Sequence, residues 1–79
     1  MILPTKHISA SQSLLGVGAT ILRHLDQDRT VSGLWELCRG APEVGTFERF
    51  VLALDALYTV GAVDLLDGLL HARRAERAP

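Results

Sequence analysis

The chain has 79 residues, a net charge of −1, and 48% hydrophobic but only 5% aromatic residues. One domain is the ceiling, and near-neutrality argues against a general nucleic-acid binder, which shows a basic domain or a basic face. A domain of this size buries only roughly 60% of the surface its unfolded chain exposes, so this much aliphatic sequence implies apolar surface left over for a partner.

The single cysteine, Cys38, excludes an intrachain disulfide and a cysteine-based metal set. His7, His24 and His71 lie far apart without ligand spacing, so no metal and no cofactor is expected. The opening "MILPTKHIS" is too short and polar for a signal peptide, and nothing approaches a membrane span; a cytoplasmic location is the expectation.

Residues 1–12, "MILPTKHISASQ", read as an extended N-terminal arm. Pro4 and the Ser/Thr content disfavour helix, while Ile2, Leu3 and Ile8 are candidate anchors. A first helix is predicted over 13–26, with Leu14, Gly18, Ile21, Leu22 and Leu25 on one face. Gly18 on that face suggests close approach of another backbone. "DQDR" then makes a polar turn. Thr30–Val31 read as a short extended step, followed by a helix capped by Ser32, with Leu34 and Cys38 sharing a face and Trp35 mostly in the core.

"FERFVLALDALYTVG" reads as the third helix, capped by Thr46, with Glu48 in its first turn and Gly61 just past its end. Phe47, Phe50, Val51, Leu54, Leu57 and Tyr58 give a core stripe. The far side carries Leu52, Ala53, Ala56 and Val60 with Arg49 among them, so this helix is apolar on two sides. Asp67-Gly68 between apolar runs predicts a hairpin over 62–72, pairing Leu66 with Leu69, Leu65 with Leu70, Asp64 with His71 and Val63 with Ala72. That register turns Val63, Leu65, Leu70 and Ala72 to the core. Asp64, Leu66, Leu69 and His71 face out, with Asp64 and His71 as a cross-strand pair. Residues 74–79 read as a disordered tail.

The order predicts an α+β fold, a small winged helix-turn-helix: three helices, a C-terminal hairpin wing and an extended arm, with the domain proper over 13–73. DNA reading would need Arg, Lys, Asn or Gln on the third helix, which instead projects Glu48, Arg49, Leu52, Asp55, Ala56 and Thr59. Catalysis would need a nucleophile, a base and an orienting group; Cys38 sits at a core-like position, so no catalytic residue is expected. The surfaces expected to meet a partner are Ile2, Leu3 and Ile8 on the arm, Arg49, Leu52, Ala56 and Val60 on the helix, and Leu66 and Leu69 at the wing tip. An exposed leucine stripe serves a homodimer equally well.

"MILPTKHI", "SLLGVGATILRHLD", "TVSGLWE", "TFERFVLALDALY" and "VGAVDLLDGLL" together resemble the middle component 6 family of ABC-three component systems, over nearly the whole chain. The resemblance implies a non-enzymatic bridge in a bacterial conflict system. It would join an ABC ATPase of the SMC-like, chromosome-maintenance type to a third, effector component, in defence against phage or other invading DNA. It brings no catalytic residues. A second pattern, from Leu14-Leu15 through Gly18, Ile21, Leu25-Asp26 and Arg29-Thr30-Val31 to Leu34-Trp35, is similar to PqqD-like winged helices that bind leader peptides. A transcription regulator is the third reading.

Overall fold

The computed structural model describes residues 5–73, with side chains from residue 14 onward. Three helices, α1 (Thr5–Arg23), α2 (Val31–Cys38) and α3 (Phe47–Thr59), precede two strands, β1 (Val63–Leu66) and β2 (Leu69–Ala72). The α+β class, with three helices and a C-terminal hairpin, is as expected.

The extended arm is not. Residues 5–12 belong to α1, which runs from Thr5. Propensity over a few Ser and Thr residues is a weak constraint. Ile2 and Leu3 lie outside the described residues, as does the tail 74–79; Ile8 falls on α1 rather than on an arm. The first helix also ends earlier than expected, at Arg23.

Two caps fix the other helices. The Thr30 side chain accepts from the Gly33 N–H at 3.0 Å, so Thr30 and not Ser32 caps α2. The extended step sits one residue earlier than expected, at Arg29, which exchanges two main-chain bonds with Leu70 of β2. Thr46 caps α3 as expected, accepting from the Arg49 N–H at 3.2 Å. The helix closes as a Schellman turn: the Gly61 N–H donates to Tyr58 and the Ala62 N–H to Leu57, with Gly61 at φ +83°.

The hairpin has the predicted register at all four pairs. Asp67 and Gly68 both take positive φ, 51° and 78°, which a two-residue primed turn requires. The Asp64–His71 pair is corrected: Asp64 accepts from Arg73 at 3.3 Å, while His71 Nδ1 meets Asp28 at 2.9 Å. Directly opposite residues are not obliged to bond when longer side chains or a neighbouring loop reach them first.

The core joins Val17 and Ile21 of α1, Leu34 and Cys38 of α2, Val44, Phe50 of α3, and Val63 and Leu70 of the hairpin. Ala53, expected on the outer side, is buried, whereas Phe47, Val51, Tyr58 and Leu14 are exposed. α1 crosses α3 closely, and a small side chain is what that crossing accepts. Trp35 is half-buried, edge-on to Phe47 at 5.1 Å and tilted against Phe50 at 5.2 Å. Thr20, buried within α1, donates to Glu43 and accepts from Arg23 Nη2 at 3.2 Å, which fastens the α2–α3 loop to α1.

Gly18 is buried, but a Cβ there would lie 3.8 Å from Leu57 Cδ2, an ordinary contact. Close backbone approach is therefore not its reason. Gly18→Ala is expected to stabilise the domain by about 0.5–1 kcal/mol through helix propensity, read as a raised urea midpoint at unchanged m-value.

Candidate functional site

Two apolar grooves flank α3. One runs between α1 and α3, lined by Leu14, Leu15, Gly18, Ala53 and Ala56, and encloses about 300 Å³. The other, about 260 Å³, lies between α3 and the hairpin, lined chiefly by Val51, Leu54, Asp55, Tyr58, Leu65 and Leu70. Both follow from a helix whose apolar residues cover more of its circumference than the small core can bury.

The sequence-predicted contact residues fall into distinct places. Leu52 is 58% and Val60 76% exposed on the outer side of α3, and Ala56 lines the first groove. Leu66 is 62% exposed and Leu69 37%, on the hairpin face turned away from the second groove. Arg49 also bonds within its own chain. Its guanidinium points back along the chain, Nε donating to the Val44 carbonyl at 3.1 Å and Nη2 to the Glu43 carbonyl at 3.0 Å. Two carbonyls at the foot of α3 offered a nearer partner than any outside molecule.

Leu14, Leu15, Val31, Leu37, Phe47, Val51, Tyr58 and Leu65 are exposed too and are not among the predicted contact residues. The signal for them was the excess of apolar residues over available core, which does not say which members are left outside.

The charges around α3 are acidic. Glu48 and Asp55 are exposed, with no cation paired to them among the described residues. Elsewhere, the Thr20 hydroxyl, with lesser help from main-chain bonds, holds the Glu43 carboxyl below the usual carboxylate range. Burial pushes the Cys38 thiol up, with the Glu43 charge adding to it. Cys38 is fully buried, 4.0 Å from His24 Nδ1, so it is a packing thiol rather than an exposed thiolate. Among the described residues no group of His, Cys, Asp or Glu is arranged to hold a metal, and no helix is long and apolar enough to cross a membrane.

Fold and surface together define a small α+β domain whose distinguishing feature is uncovered apolar surface on more than one side. The model of the ABC-three component system Middle Component 6 family matches residues 3–74, and the chain belongs to that family. It is thus a component of a multi-component ABC system. No curated protein and no solved structure matches it significantly.

Proposed function

We propose that the chain is a non-enzymatic winged-helix adaptor, working in the cytoplasm, that bridges the SMC-like ABC ATPase and the third component of a system defending against phage or plasmid DNA. The observation that carries this is the pair of apolar grooves on two sides of α3, with the Leu66–Leu69 patch beyond them. A single small body with separate apolar faces suits two partners at once. The winged-helix reading is supported by the extended Arg29 ahead of α2, its bridge to β2, and the hairpin directly after α3.

DNA reading has less support. With Arg49 committed to its own loop, the charges that α3 presents are Glu48 and Asp55, which phosphates repel. Leader-peptide binding of the PqqD-like kind calls for strand sequence ahead of the first helix, and residues from Thr5 are helical.

The test is co-expression of the tagged chain with the ATPase and the third component. Leu52→Asp and Leu66→Asp should each lower recovery of the complex at least about tenfold while leaving the circular dichroism melt in place, because both side chains are mostly outside the core. Unchanged recovery with both variants would remove these surfaces from the interface. A chain recovered alone that retards DNA would overturn the adaptor reading.

A further inference from the structure

The hairpin has one open side. β1 pairs only with β2. Leu70 of β2 exchanges both main-chain bonds with Arg29, its N–H donating at 2.6 Å and its carbonyl accepting at 3.2 Å. Leu70 therefore turns its backbone groups away from β1, and its opposite residue Leu65 sits at a non-hydrogen-bonded position. The N–H and C=O of Leu65 point out of the free side of the sheet, and among the described residues nothing bonds them. Edges of this kind are usually blunted by a proline, a lysine or a bulge. Val63–Leu66 has no proline, lysine or bulge and its register is unbroken; its guards are its shortness and Asp64, itself paired with Arg73.

Each face beside that edge carries an exposed leucine, the outer one next to the Asp64–Arg73 pair. Leu65, 50% exposed, lies on the face of the second groove, and Leu66, more exposed still, on the opposite face. A helix laid on the hairpin covers one face only. An added strand sends alternate side chains to both faces, so it covers Leu65 and Leu66 together. The nearby charges select further: Asp55, on the groove, lacks a cationic partner among the described residues, and Asp67 sits at the turn. Two copies joined edge to edge would bring two acidic rims together, whereas a basic segment meets complementary charge.

We infer that the outer edge of β1 receives an extended segment of a partner protein, aliphatic at alternate positions and carrying Lys or Arg opposite Asp55, as an added antiparallel or parallel strand. This rests on the adaptor reading and specifies how one partner is held.

Hydrogen–deuterium exchange resolved to single amides tests it, on the unmodified chain free and in its co-purified complex with the ATPase and the third component. Free, the Leu65 amide should exchange fast and the Leu66 amide slowly, because only the latter lies inside the ladder. In the complex, Leu65 exchange should slow at least about tenfold. A complex that forms with Leu65 exchange unchanged overturns the strand and leaves the adaptor standing. Failure to form any complex overturns the adaptor and the strand with it. Protection of Leu65 in the concentrated chain alone assigns the edge to a second copy and overturns the partner named here.

Discussion

Phe50→Ala is expected to remove about 3–5 kcal/mol of stability, the range for emptying an aromatic from a close-packed interior. Phe50 is fully buried, the largest such side chain in the core, and its ring meets both Trp35 and Phe47. A chain of 79 residues has total stability on the order of 4–12 kcal/mol, so this one change takes a large share of it. The neighbours cannot close the gap, because Phe47 is anchored at the start of α3 and Trp35 is fixed edge-on to it. Urea denaturation followed by circular dichroism measures the loss. Phe50→Leu retains most of the apolar volume and should lose about 1.5 kcal/mol or less. A loss under about 1 kcal/mol for the alanine variant would mean that the core is organised around other residues.

Arg49→Ala is expected to destabilise the chain by about 1.5–3 kcal/mol, although arginine on a projecting helix looks like a contact residue. Its two donors tie the Glu43 and Val44 carbonyls to the first turns of α3. The same loop carries Val44 into the core and Glu43 to Thr20, and it turns at Gly45 with φ +70°. Losing the guanidinium leaves the partly buried Glu43 carbonyl without its donor, while the Val44 carbonyl keeps only the Thr46 N–H, at 2.7 Å. Arg49→Lys should recover less than half of the loss, because an ammonium on a flexible stem does not reproduce a two-pronged planar fork. Denaturation midpoints for the three chains, set beside recovery of the complex, separate the roles. A stability-neutral Arg49→Ala that abolishes the complex would return Arg49 to the interface.

These two residues also show what sequence alone reveals. Thr46, Gly61 and Asp67-Gly68 were readable because each acts through its nearest neighbours. A capping hydroxyl, a left-handed helix end and a primed turn need only a few adjacent residues, and all three are found where expected. The hairpin register followed from the turn. The rotational phase of α3 was not readable in the same way. With Phe47, Val51, Leu52, Leu54 and Val60 spread around the helix, hydrophobicity offers several possible inward faces. The choice fell to Phe50 and Ala53 because α1 crosses there, and a crossing is a tertiary fact. For the same reason Val17 and Thr20 displaced Leu14 from the interior. Of the predicted contact residues, Leu52, Val60, Leu66 and Leu69 are exposed as a partner surface needs. The carbonyl partners of Arg49 come from a loop whose path no local pattern reveals. The helix over residues 5–12 is not legible in the sequence, because Ser and Thr content disfavours helix only weakly and tertiary context overrides it.

The links holding the hairpin to the rest of the chain have a kinetic meaning. Leu70 bridges to Arg29, and His71 reaches Asp28 across 43 residues of sequence. A two-residue turn closes in about 1–10 μs, but a hairpin alone is marginal in water, and its anchor forms only once a long loop has been closed. The α1–α3 crossing, where Gly18 lies against Leu57, closes a loop of similar length. Substitutions in the hairpin should speed unfolding more than they slow folding if it docks after the α1–α3 crossing, which folding and unfolding rates of a Leu70 variant would measure. A partner strand laid along β1 would add a further row of main-chain bonds to a two-stranded hairpin, so assembly would lengthen the survival of the fold as well as recruit the chain.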